Sequence, residues 1–427
     1  MLSNEAMGRR ETFGEDAIRL GVIGLGSRGR ALLGRLLKME DIIVPAVCDL
    51  YEDRLHLGME SVIAAGREKA EGYKDYQELL ARDDLDGVII SSSIVSHAQL
   101  AIAAMKAGKH AGIEVGGAAS LEECWELVRT SESSGKSCMI LSNCNFGRNE
   151  MALLNMVKKE LFGEMIHCQC GYEHDLRRQV VMGEENKHNR FALYSYRNGD
   201  NYPTHGLGPV AKYLNINRGN RFLTLSSMSS KSRGLRDWAT QHLGKEHPLA
   251  HREFAQGDIV TTMIKCANGE TILLTLDTTL PRPYSRAGRV QGTKGLWMED
   301  NQSIHIEGRS DNHTWESFEK YREEYDHPLW KEYVQEGIRG GHDGTDYLCM
   351  RAFIESIARN IAPPIDVYDT ASWMAVTVLT EQSIALGGHP VSFPDFTNGR
   401  WIDRNPGPKS KYSLNEIDES LFENFTM

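Results

Sequence analysis

The stretch "IRLGVIGLGSRG", residues 18–29, decides the fold of the first part of the chain. An apolar run leads directly into Gly24-x-Gly26-x-x-Gly29, and leucines at helical spacing follow it. A second apolar run, "IIVPAVCD", then ends in Asp49. A dinucleotide binds in a setting of this order: a strand, a glycine turn, a helix, a second strand and an acid at its end. The sequence therefore predicts a Rossmann-type βαβ unit, and the alternative is a glycine-rich turn in another kind of βα unit.

Each residue of this motif has a physical task. Gly24 permits the tight turn, Gly26 lets the backbone approach a pyrophosphate, and Gly29 lets the helix pack closely on the sheet. The positive end of the helix then faces the anion. Asp49 is placed to bond the adenosine ribose hydroxyls, and its carboxylate would repel a 2′-phosphate. The motif predicts NAD, in preference to NADP, as the cofactor.

Predicted strands and helices continue to alternate up to about residue 145. Three polar residues, His97, Glu114 and Asn143, stand at or just after the ends of predicted strands. Because ligands bind at the carboxyl ends of the strands in open α/β sheets, we expect all three to face the cofactor. The alternative is that each is only a polar residue where a strand ends.

Beyond residue 145 predicted strands follow one another directly, which favours an α+β domain with a large, mostly antiparallel, open-faced sheet. Asn268-Gly269 between two alternating runs predicts a hairpin. Residues 175–201 are polar and rich in turn residues and predict a long functional loop. The predicted organisation is a tail at 1–17, an NAD-binding Rossmann domain at 18–145 and a substrate or oligomerisation domain at 146–427. A helix near 368–388 is expected to pack back on the Rossmann domain.

The stretch "NYPTHGLGPVAKYLN", residues 201–215, places Tyr202 and His205 in a turn before an apolar helix. Histidine exchanges protons near neutral pH, and a tyrosine three residues away is close enough to orient it. Gly206 and Gly208 are expected to let the backbone approach a ligand, and Pro203 to fix the turn. The alternative is a histidine that caps its helix beside a packed tyrosine.

Composition excludes several classes of protein. A net charge of −11 and a pI near 5.8 argue against nucleic acid as a partner. No apolar run is long enough for a membrane span, and the first residues carry no apolar signal-peptide core. The sequence as given predicts a cytoplasmic protein, or a periplasmic or exported one if a leader was removed.

The cysteines predict no disulfide framework, because the 8 of them are scattered through apolar runs. Cys168 and Cys170, with His167 and His174 nearby, are the one arrangement that resembles a metal site. A core strand is the other interpretation, and it is favoured because zinc takes three or four ligands. We expect no metal.

The chain resembles the Gfo/Idh/MocA oxidoreductases and, more closely, glycoside hydrolase family 109. The segments that carry this resemblance lie between about residues 20 and 390, and the run from Tyr202 to Phe222 is the most specific of them. They read "GLGSRG", "CDLYEDR", "GKHAGIEV", "NEMALLNMV", "GYEHDLR", "NYPTHGLGPVAKYLNINRGNRF", "SSMSS", "DTTLPRPYSR" and "GGHDGTDYL". Family 109 comprises NAD-dependent α-N-acetylgalactosaminidases, so the resemblance implies a carbohydrate substrate. It leaves open a homo-oligomer formed through the C-terminal sheet.

The resemblance implies two sets of binding residues. Besides the glycine turn, its cofactor contacts fall on Ser27, Arg28, Asp49, Ile94, Val95, Ser96, His97, Glu114, Val115 and Asn143. Its substrate contacts fall on Tyr172, Arg190, Tyr202, Pro203, Thr204, His205 and Tyr284. We expect His205 and Tyr202 to be catalytic.

The reaction implied is unusual, because most glycosidases use two carboxylates and no redox cofactor. The sugar is oxidised at C3, its C2 proton is removed, the aglycone is eliminated, water adds, and C3 is reduced again, with retention at the anomeric carbon. Val115 stands where dehydrogenase relatives carry a proton-transferring lysine, and Ser96 where the family usually carries an aromatic residue. The first departure argues against a net-redox sugar or inositol dehydrogenase, which is the main alternative. A non-catalytic NAD-binding protein is the second.

Overall fold

The computed structural model describes residues 17–338 and 342–425. The predicted tail at 1–17 therefore lies outside the described residues except for Ala17. None of the described helices has the length and apolar character needed to cross a membrane.

The first part of the chain forms a parallel sheet with helices on its two faces. Its strands are Ile18–Ile23 (β1), Ile42–Cys48 (β2), Glu71–Tyr73 (β3), Gly87–Ile90 (β4), His110–Ile113 (β5) and Cys138–Ile140 (β6). Its helices are Ser27–Leu36 (α1), Glu52–Ala64 (α2), Tyr76–Leu80 (α3), His97–Lys106 (α4) and Leu121–Ser134 (α5). A 3-10 turn, Ile94–Ser96, precedes α4.

The strands are ordered β3-β2-β1-β4-β5-β6, and every pairing is parallel. Both faces of the sheet are covered, which is why β4 and β5 are buried at every residue. The strand order reverses between β1 and β4, so a crevice opens beyond the carboxyl ends of these two strands. The predicted Rossmann fold is confirmed.

The second part combines helices with a larger sheet. Its strands are Met165–Glu173 (β7), Phe222–Ser229 (β8), Ile259–Cys266 (β9), Thr271–Asp277 (β10), Arg289–Gly292 (β11), Gly295–Met298 (β12), Ser303–Ile306 (β13), Glu316–Ser317 (β14) and Val391–Ser392 (β15). Its helices are Arg148–Lys158 (α6), Arg177–Val181 (α7), Arg190–Tyr196 (α8), Thr204–Tyr213 (α9), Gly234–Leu243 (α10), Pro248–His251 (α11), Phe318–Glu324 (α12), Pro328–Glu336 (α13), Thr345–Ala358 (α14) and Val367–Ala385 (α15). Two 3-10 turns lie at Asn143–Phe146 and Glu419–Phe425.

This sheet has the order β14-β13-β12-β11-β7-β10-β9-β8-β15, and only the pairing of β7 with β10 is parallel among the described strands. Residues of β9 alternate between buried and exposed, as expected when one face packs on helices and the other is open. The predicted hairpin joins β9 to β10, with Gly269 at a φ of 106°. The mostly antiparallel α+β architecture is confirmed.

The loop predicted for residues 175–201 is wrong in part, because α7 and α8 lie within it. Both helices bury apolar side chains, among them Val180 and Phe191, against Leu235 and Phe254. Tertiary packing of this kind is invisible in a short polar sequence window.

Helix α15 lies against the first part of the chain. Met374 on this helix accepts a hydrogen bond from the amide of Ala118 at 3.0 Å, and Thr370 accepts one from Ile140 at 3.1 Å. The two parts thus share a packed boundary, and the division of the chain at residue 145 stays a prediction.

Candidate active site

The glycine turn after β1 leaves room for a ligand at one position. Gly24 has a φ of 91°, and a Cβ there would lie 2.6 Å from the backbone of Ser91. A Cβ on Gly29 would lie 1.9 Å from the carbonyl oxygen of Gly24. A Cβ on Gly26, by contrast, would meet only the side chain of Arg54, at 3.7 Å. Gly24 and Gly29 are needed for packing, and the open space beside Gly26 is a cradle that a phosphate can enter.

Helix α1 begins beside this space. Gly26 is its N-cap, no side chain caps it, and its first turn holds no acid. Its first amides are therefore available to an anion, as in other dinucleotide sites.

Asp49 follows β2, and its carboxylate is fixed by the backbone. Oδ2 accepts a hydrogen bond from the amide of Leu25 at 2.6 Å, and Oδ1 accepts one from Tyr51 at 2.9 Å. Each carboxylate oxygen can accept a further bond. Asp49 therefore ties the glycine turn to β2 and still presents acceptors to a ribose.

One cleft of about 1030 Å³ runs from the glycine turn to the second part of the chain. Most of the predicted site residues line it, namely Gly24, Gly26, Ser27, Arg28, Asp49, Ile94, Ser96, His97, Glu114, Val115, Arg190 and Tyr202. Gly29 lies behind the turn, and Val95 is 41% exposed on the 3-10 turn before α4.

Residues 182–189 pass over one side of this cleft. Asn186 and Lys187 accept hydrogen bonds from Arg54 through their carbonyl groups, at 3.0 and 3.1 Å. The ammonium group of Lys187 lies 4.6 Å from the ring centre of Tyr51. Asn189 donates to Ser93 Oγ at 3.0 Å. The segment thus bridges both parts of the chain above the cleft.

Of the three polar residues predicted at strand ends, His97 and Glu114 line the cleft and Asn143 does not. Glu114 follows β5, Asn143 follows β6, and His97 begins α4. Burial lowers the pKa of His97 to about 4, so its imidazole is neutral at pH 7. Burial raises the pKa of Glu114, while Arg28, whose Nε donates to Glu114 at 2.8 Å, opposes that effect.

Sequence reasoning missed a carboxylate in this region. Asp346, in the first turn of α14, bonds Arg28 at 2.8 and 2.9 Å and Asn143 at 2.8 Å. It lies in the quoted segment "GGHDGTDYL", whose two leading glycines are outside the described residues. An acid just after a glycine-rich run, at a helix start, was the available indication.

At the other end of the cleft, Tyr202 and Pro203 lead into α9, which begins at Thr204. Pro203 is the N-cap, so His205 lies in the first helical turn. The carboxylate of Asp200, 1% exposed, accepts a hydrogen bond from the amide of Tyr202 at 3.0 Å. Burial raises the pKa of Asp200 to about 7. This buried acid, which the sequence analysis missed, holds the turn.

Three aromatic rings converge on this turn. The ring of Tyr172, from β7, lies 4.4 Å from that of Tyr202 and 5.5 Å from that of His205, centre to centre. The Tyr202 and His205 rings are 5.1 Å apart. Thr204 is fully buried, and its hydroxyl has no partner among the described residues. The predicted substrate residues are thus brought together.

Arg190 and Tyr284 flank this cluster. The guanidinium carbon of Arg190 lies 5.0 Å from the Tyr202 ring centre, and Nη1 donates to Gln179 at 2.5 Å. Tyr284 is 50% exposed, with its ring 6.2 Å from that of Tyr172. His174 was not predicted; its Nδ1 lies 3.0 Å from the hydroxyl of Tyr172.

Burial determines the protonation states of the three side chains in this cluster. Burial, followed by the positive charges of Arg286 and Arg28, lowers the pKa of His205 to about 3. Nδ1 of His205 is buried and has no partner among the described residues. Burial raises the pKa of Tyr172 and Tyr202 above the usual value for a phenol. At neutral pH the imidazole is therefore uncharged, whereas both phenols keep their protons.

The two glycines of α9 have a different role from the one expected. A Cβ on Gly206 would lie 2.5 Å from the backbone of Gly171 in β7. One on Gly208 would lie 2.5 Å from Asn145 and 3.1 Å from Trp373. The expectation that they let the backbone approach a ligand is wrong, because they allow α9 to pack closely on its neighbours.

The metal site considered for Cys168 and Cys170 is not found among the described residues. All eight are free and buried, including Cys168 and Cys170 on one face of β7. Within residues 17–338 and 342–425, no group of three or more His, Cys, Asp or Glu side chains is placed to hold a metal ion.

Two family descriptions match the chain. "Oxidoreductase family, NAD-binding Rossmann fold" matches residues 18–142, and "Glycosyl hydrolase 109, C-terminal domain" matches residues 146–403. An "Alpha-N-acetylgalactosaminidase" of Tannerella forsythia is 43% identical over 91% of this chain and 88% of its own length. A "Glycosyl hydrolase family 109 protein" of Stenotrophomonas maltophilia is 43% identical over 91% of both chains.

Solved structures also resemble the chain. A levoglucosan dehydrogenase in complex with NADH superposes with a TM-score of 0.66 at 18% identity, over 89% of this chain and 100% of its own. At that identity the likeness extends to the fold alone.

Proposed function

Because the chain belongs to glycosyl hydrolase family 109, we propose that it releases terminal α-N-acetylgalactosamine from glycosides, with retention and with a bound NAD that is used and regenerated in each turnover. The chain is a glycoside hydrolase, and its substrate is a carbohydrate. The proposal adds the sugar, the cofactor and the residues that act.

The cleft has the features that NAD requires. Gly26 leaves space for the pyrophosphate beside the uncapped amides of α1. Asp49 offers acceptors to the adenosine ribose and a negative charge against a 2′-phosphate. Bound NAD would supply the acceptor and later the donor of a hydride at C3 of the sugar.

His205 is the proton acceptor in this account. A neutral imidazole can remove a proton from the sugar, whereas an imidazolium cannot. Burial and the nearby arginines keep His205 neutral. Its position in the first turn of α9 adds to this effect, because the positive end of a helix disfavours a charged histidine.

The tyrosines supply the opposite function. Tyr202, Tyr172 and Tyr284 all have pKa values that burial raises, so their hydroxyl groups stay protonated and can donate to sugar oxygens. Tyr284, half exposed at the edge of the cluster, is suited to contact the leaving group. Arg190 adds a fixed positive charge beside the Tyr202 ring.

Two features argue against the dehydrogenase alternative. Val115 lines the cleft where a plain sugar dehydrogenase would need a proton carrier, and a valine cannot transfer a proton. Of the described residues that line the cleft, the lysines are Lys74 and Lys187, and both pair with acids of α2, Glu52 and Asp53. Neither lysine is placed to replace the proton-transferring lysine that dehydrogenase relatives carry at the position of Val115.

A single observation carries the proposal: one cleft connects the cradle at Gly26 and Asp49 to Tyr202, whose ring contacts the neutral His205. A redox-assisted elimination needs a cofactor site beside a proton-transfer site, and Tyr202 connects the cleft to the ring of His205 in this way. This arrangement also argues against a non-catalytic NAD-binding protein.

The discriminating assay follows two signals in one cuvette. Purified protein is incubated with the p-nitrophenyl glycoside of α-N-acetylgalactosamine and, separately, with free sugars, while nitrophenol and NADH absorbance are recorded. Steady nitrophenol without net NADH supports the proposal. Accumulation of NADH with free sugars supports the dehydrogenase. The absence of both signals supports a non-catalytic protein. The β-glycoside and the α-galactoside without an acetamido group serve as controls for the anomeric and C2 preferences.

A further inference from the structure

Asp346 is a completely buried carboxylate that joins the two parts of the chain at the cofactor side of the cleft. It belongs to α14, while its main partners, Arg28 and Asn143, belong to the first part of the chain. A buried charge is tolerated only when its partners and hydrogen bonds compensate for the lost water. The identity of those partners indicates what the carboxylate does.

Four side chains converge on the two oxygens of Asp346. Arg28 forms a bidentate pair, with Nη1 and Nη2 at 2.8 and 2.9 Å from Oδ2 and Oδ1. Arg35 Nη2 lies 3.1 Å from Oδ2, and His342 Nδ1 lies 2.8 Å from the same oxygen. Asn143 Nδ2 donates to Oδ1 at 2.8 Å. The helix start beneath the carboxylate also favours its negative charge.

The pairing with Arg28 reaches a further residue. The third donor of the same guanidinium, Nε, bonds Glu114 Oε1 at 2.8 Å. Because a guanidinium is planar and rigid, a bidentate pair on one edge fixes where Nε points. Through Arg28, Asp346 thereby also fixes the position of the donor that bonds Glu114.

The bond to Asp346 also fixes the orientation of the Asn143 amide. The Nδ2 group is committed to Asp346, and Oδ1 is buried with no partner among the described residues. An amide whose donor is fixed in this way presents only an acceptor on its other side. Removing the carboxylate would allow the amide to rotate.

We propose that Asp346 is a positioning residue of the cofactor site: it holds Arg28 and Asn143, and through Arg28 the Glu114 carboxylate, in the arrangement that receives NAD. The inference rests on the proposed function in one respect, the identity of the cofactor. It assigns no chemical step to Asp346.

The test is the affinity for NADH, measured from the fluorescence of the bound dihydronicotinamide without any sugar. Asp346→Asn keeps the size of the side chain but places an amide among donors. We expect the dissociation constant to rise on the order of 10–100-fold, the range for losing hydrogen bonds to a buried charged group. The emission spectrum of bound NADH should shift as well, because Arg28 and the Glu114 carboxylate that it holds both line the proposed cofactor cleft.

Asp41→Asn is the matched control. Asp41 pairs with Arg351 of the same helix α14, at 2.8 Å, across the same boundary between the two parts of the chain. Asp41 is not among the described residues that line the cleft. A loss of stability without a loss of NADH affinity in this variant supports the inference. An equal loss of affinity in both variants, or unchanged affinity and emission in Asp346→Asn, overturns it.

A crystal structure of the parent protein with NAD keeps the inference testable if Asp346→Asn does not fold. Arg28 and Asn143 should remain bonded to Asp346, with Asn143 Oδ1 turned toward the cofactor. An Arg28 that leaves Asp346 for the cofactor phosphates contradicts the inference. Failure of the parent protein to bind NAD(H) at all defeats the proposed function together with this inference, whereas the other adverse outcomes defeat this inference alone.

Discussion

The imidazole of His205 lies 5.1 Å from the ring of Tyr202, centre to centre, with the two planes at 77°. The intervening Pro203 is the N-cap of α9, so the two side chains lie on one side of a tight turn. Asp200 fixes the start of that turn and Tyr172 packs against both rings. A histidine that is only a cap would not need this enclosure by phenol groups.

Replacing His205 by alanine should lower turnover by roughly 10²–10⁴-fold, the usual range for a general acid–base group. Bound NAD should remain, because the described contacts of the glycine turn do not include His205. Tyr202→Phe should cost less, since the ring still packs and only the hydroxyl is lost. The measurements are kcat with the p-nitrophenyl substrate and the cofactor content of each purified variant. A His205→Ala enzyme with full turnover would assign this residue a structural role only.

Replacing Asp49 by alanine should weaken NAD binding and relax the discrimination against NADP. The change removes the ribose acceptors and the charge that repels a 2′-phosphate. It also frees the amides of Leu25 and Tyr51, which Asp49 now binds. Asp49→Asn is the control, because it keeps an acceptor and loses the charge. Dissociation constants for NADH and NADPH decide the matter, and an unchanged ratio in both variants contradicts the assignment.

Stability should fall in acid because several histidines are buried in the neutral form. Burial lowers the pKa of His97 to about 4 and those of His205 and His327 to about 3, from 6.5. The unfolded chain therefore binds more protons than the native state between these values. The contribution of these neutral histidines to the free energy of unfolding is fully present above pH 6.5. It is lost as the pH falls from there toward about 3.

His327→Asn isolates one part of this effect. His327 Nδ1 accepts a hydrogen bond from Leu329 at 3.1 Å at the start of α13, and asparagine is also a good N-cap. The variant should fold, and its melting temperature should fall less steeply with acid than that of the parent. Melting curves recorded between pH 7 and 4 test this, and identical slopes would be the adverse result.

Activity should survive a chelator without added metal. A ketone at C3 acidifies the C2 hydrogen by itself, so the proposed elimination needs no Lewis acid. Rates before and after treatment with EDTA are the measurement. Activity lost to EDTA and restored by manganese or zinc would indicate a metal-assisted elimination instead.

The parts of the site that are contiguous in sequence were predictable. The glycine turn and Asp49 rest on local spacing, and local spacing fixes local geometry. Spacing also predicted the turn at Tyr202 and His205, but the site role proposed for these two residues came from the family resemblance. The alternation of strands and helices likewise identified the Rossmann fold, because period and connection length determine it.

The parts that depend on distant contacts were not predictable. Asp346 meets Arg28 only when α14 packs beside the glycine turn, and Arg286 approaches His205 only through the folded sheet. The glycines of α9 were misread for the same reason, since their neighbours in β7 and at Asn145 are far along the chain. Residues 175–201 gained helices from burial that a polar window does not reveal.

The central claim is that His205 takes part in removing and returning the proton at C2 of the sugar. The most direct test is hydrolysis of the α-N-acetylgalactosaminide in D₂O, with the released sugar examined by NMR and mass spectrometry. The account predicts deuterium at C2, because that proton leaves to a base and is replaced from solvent, and it predicts none at C3, where the same hydrogen returns as hydride. Released sugar without deuterium at C2, from an enzyme that requires NAD, would contradict elimination and leave His205 with a binding or capping role.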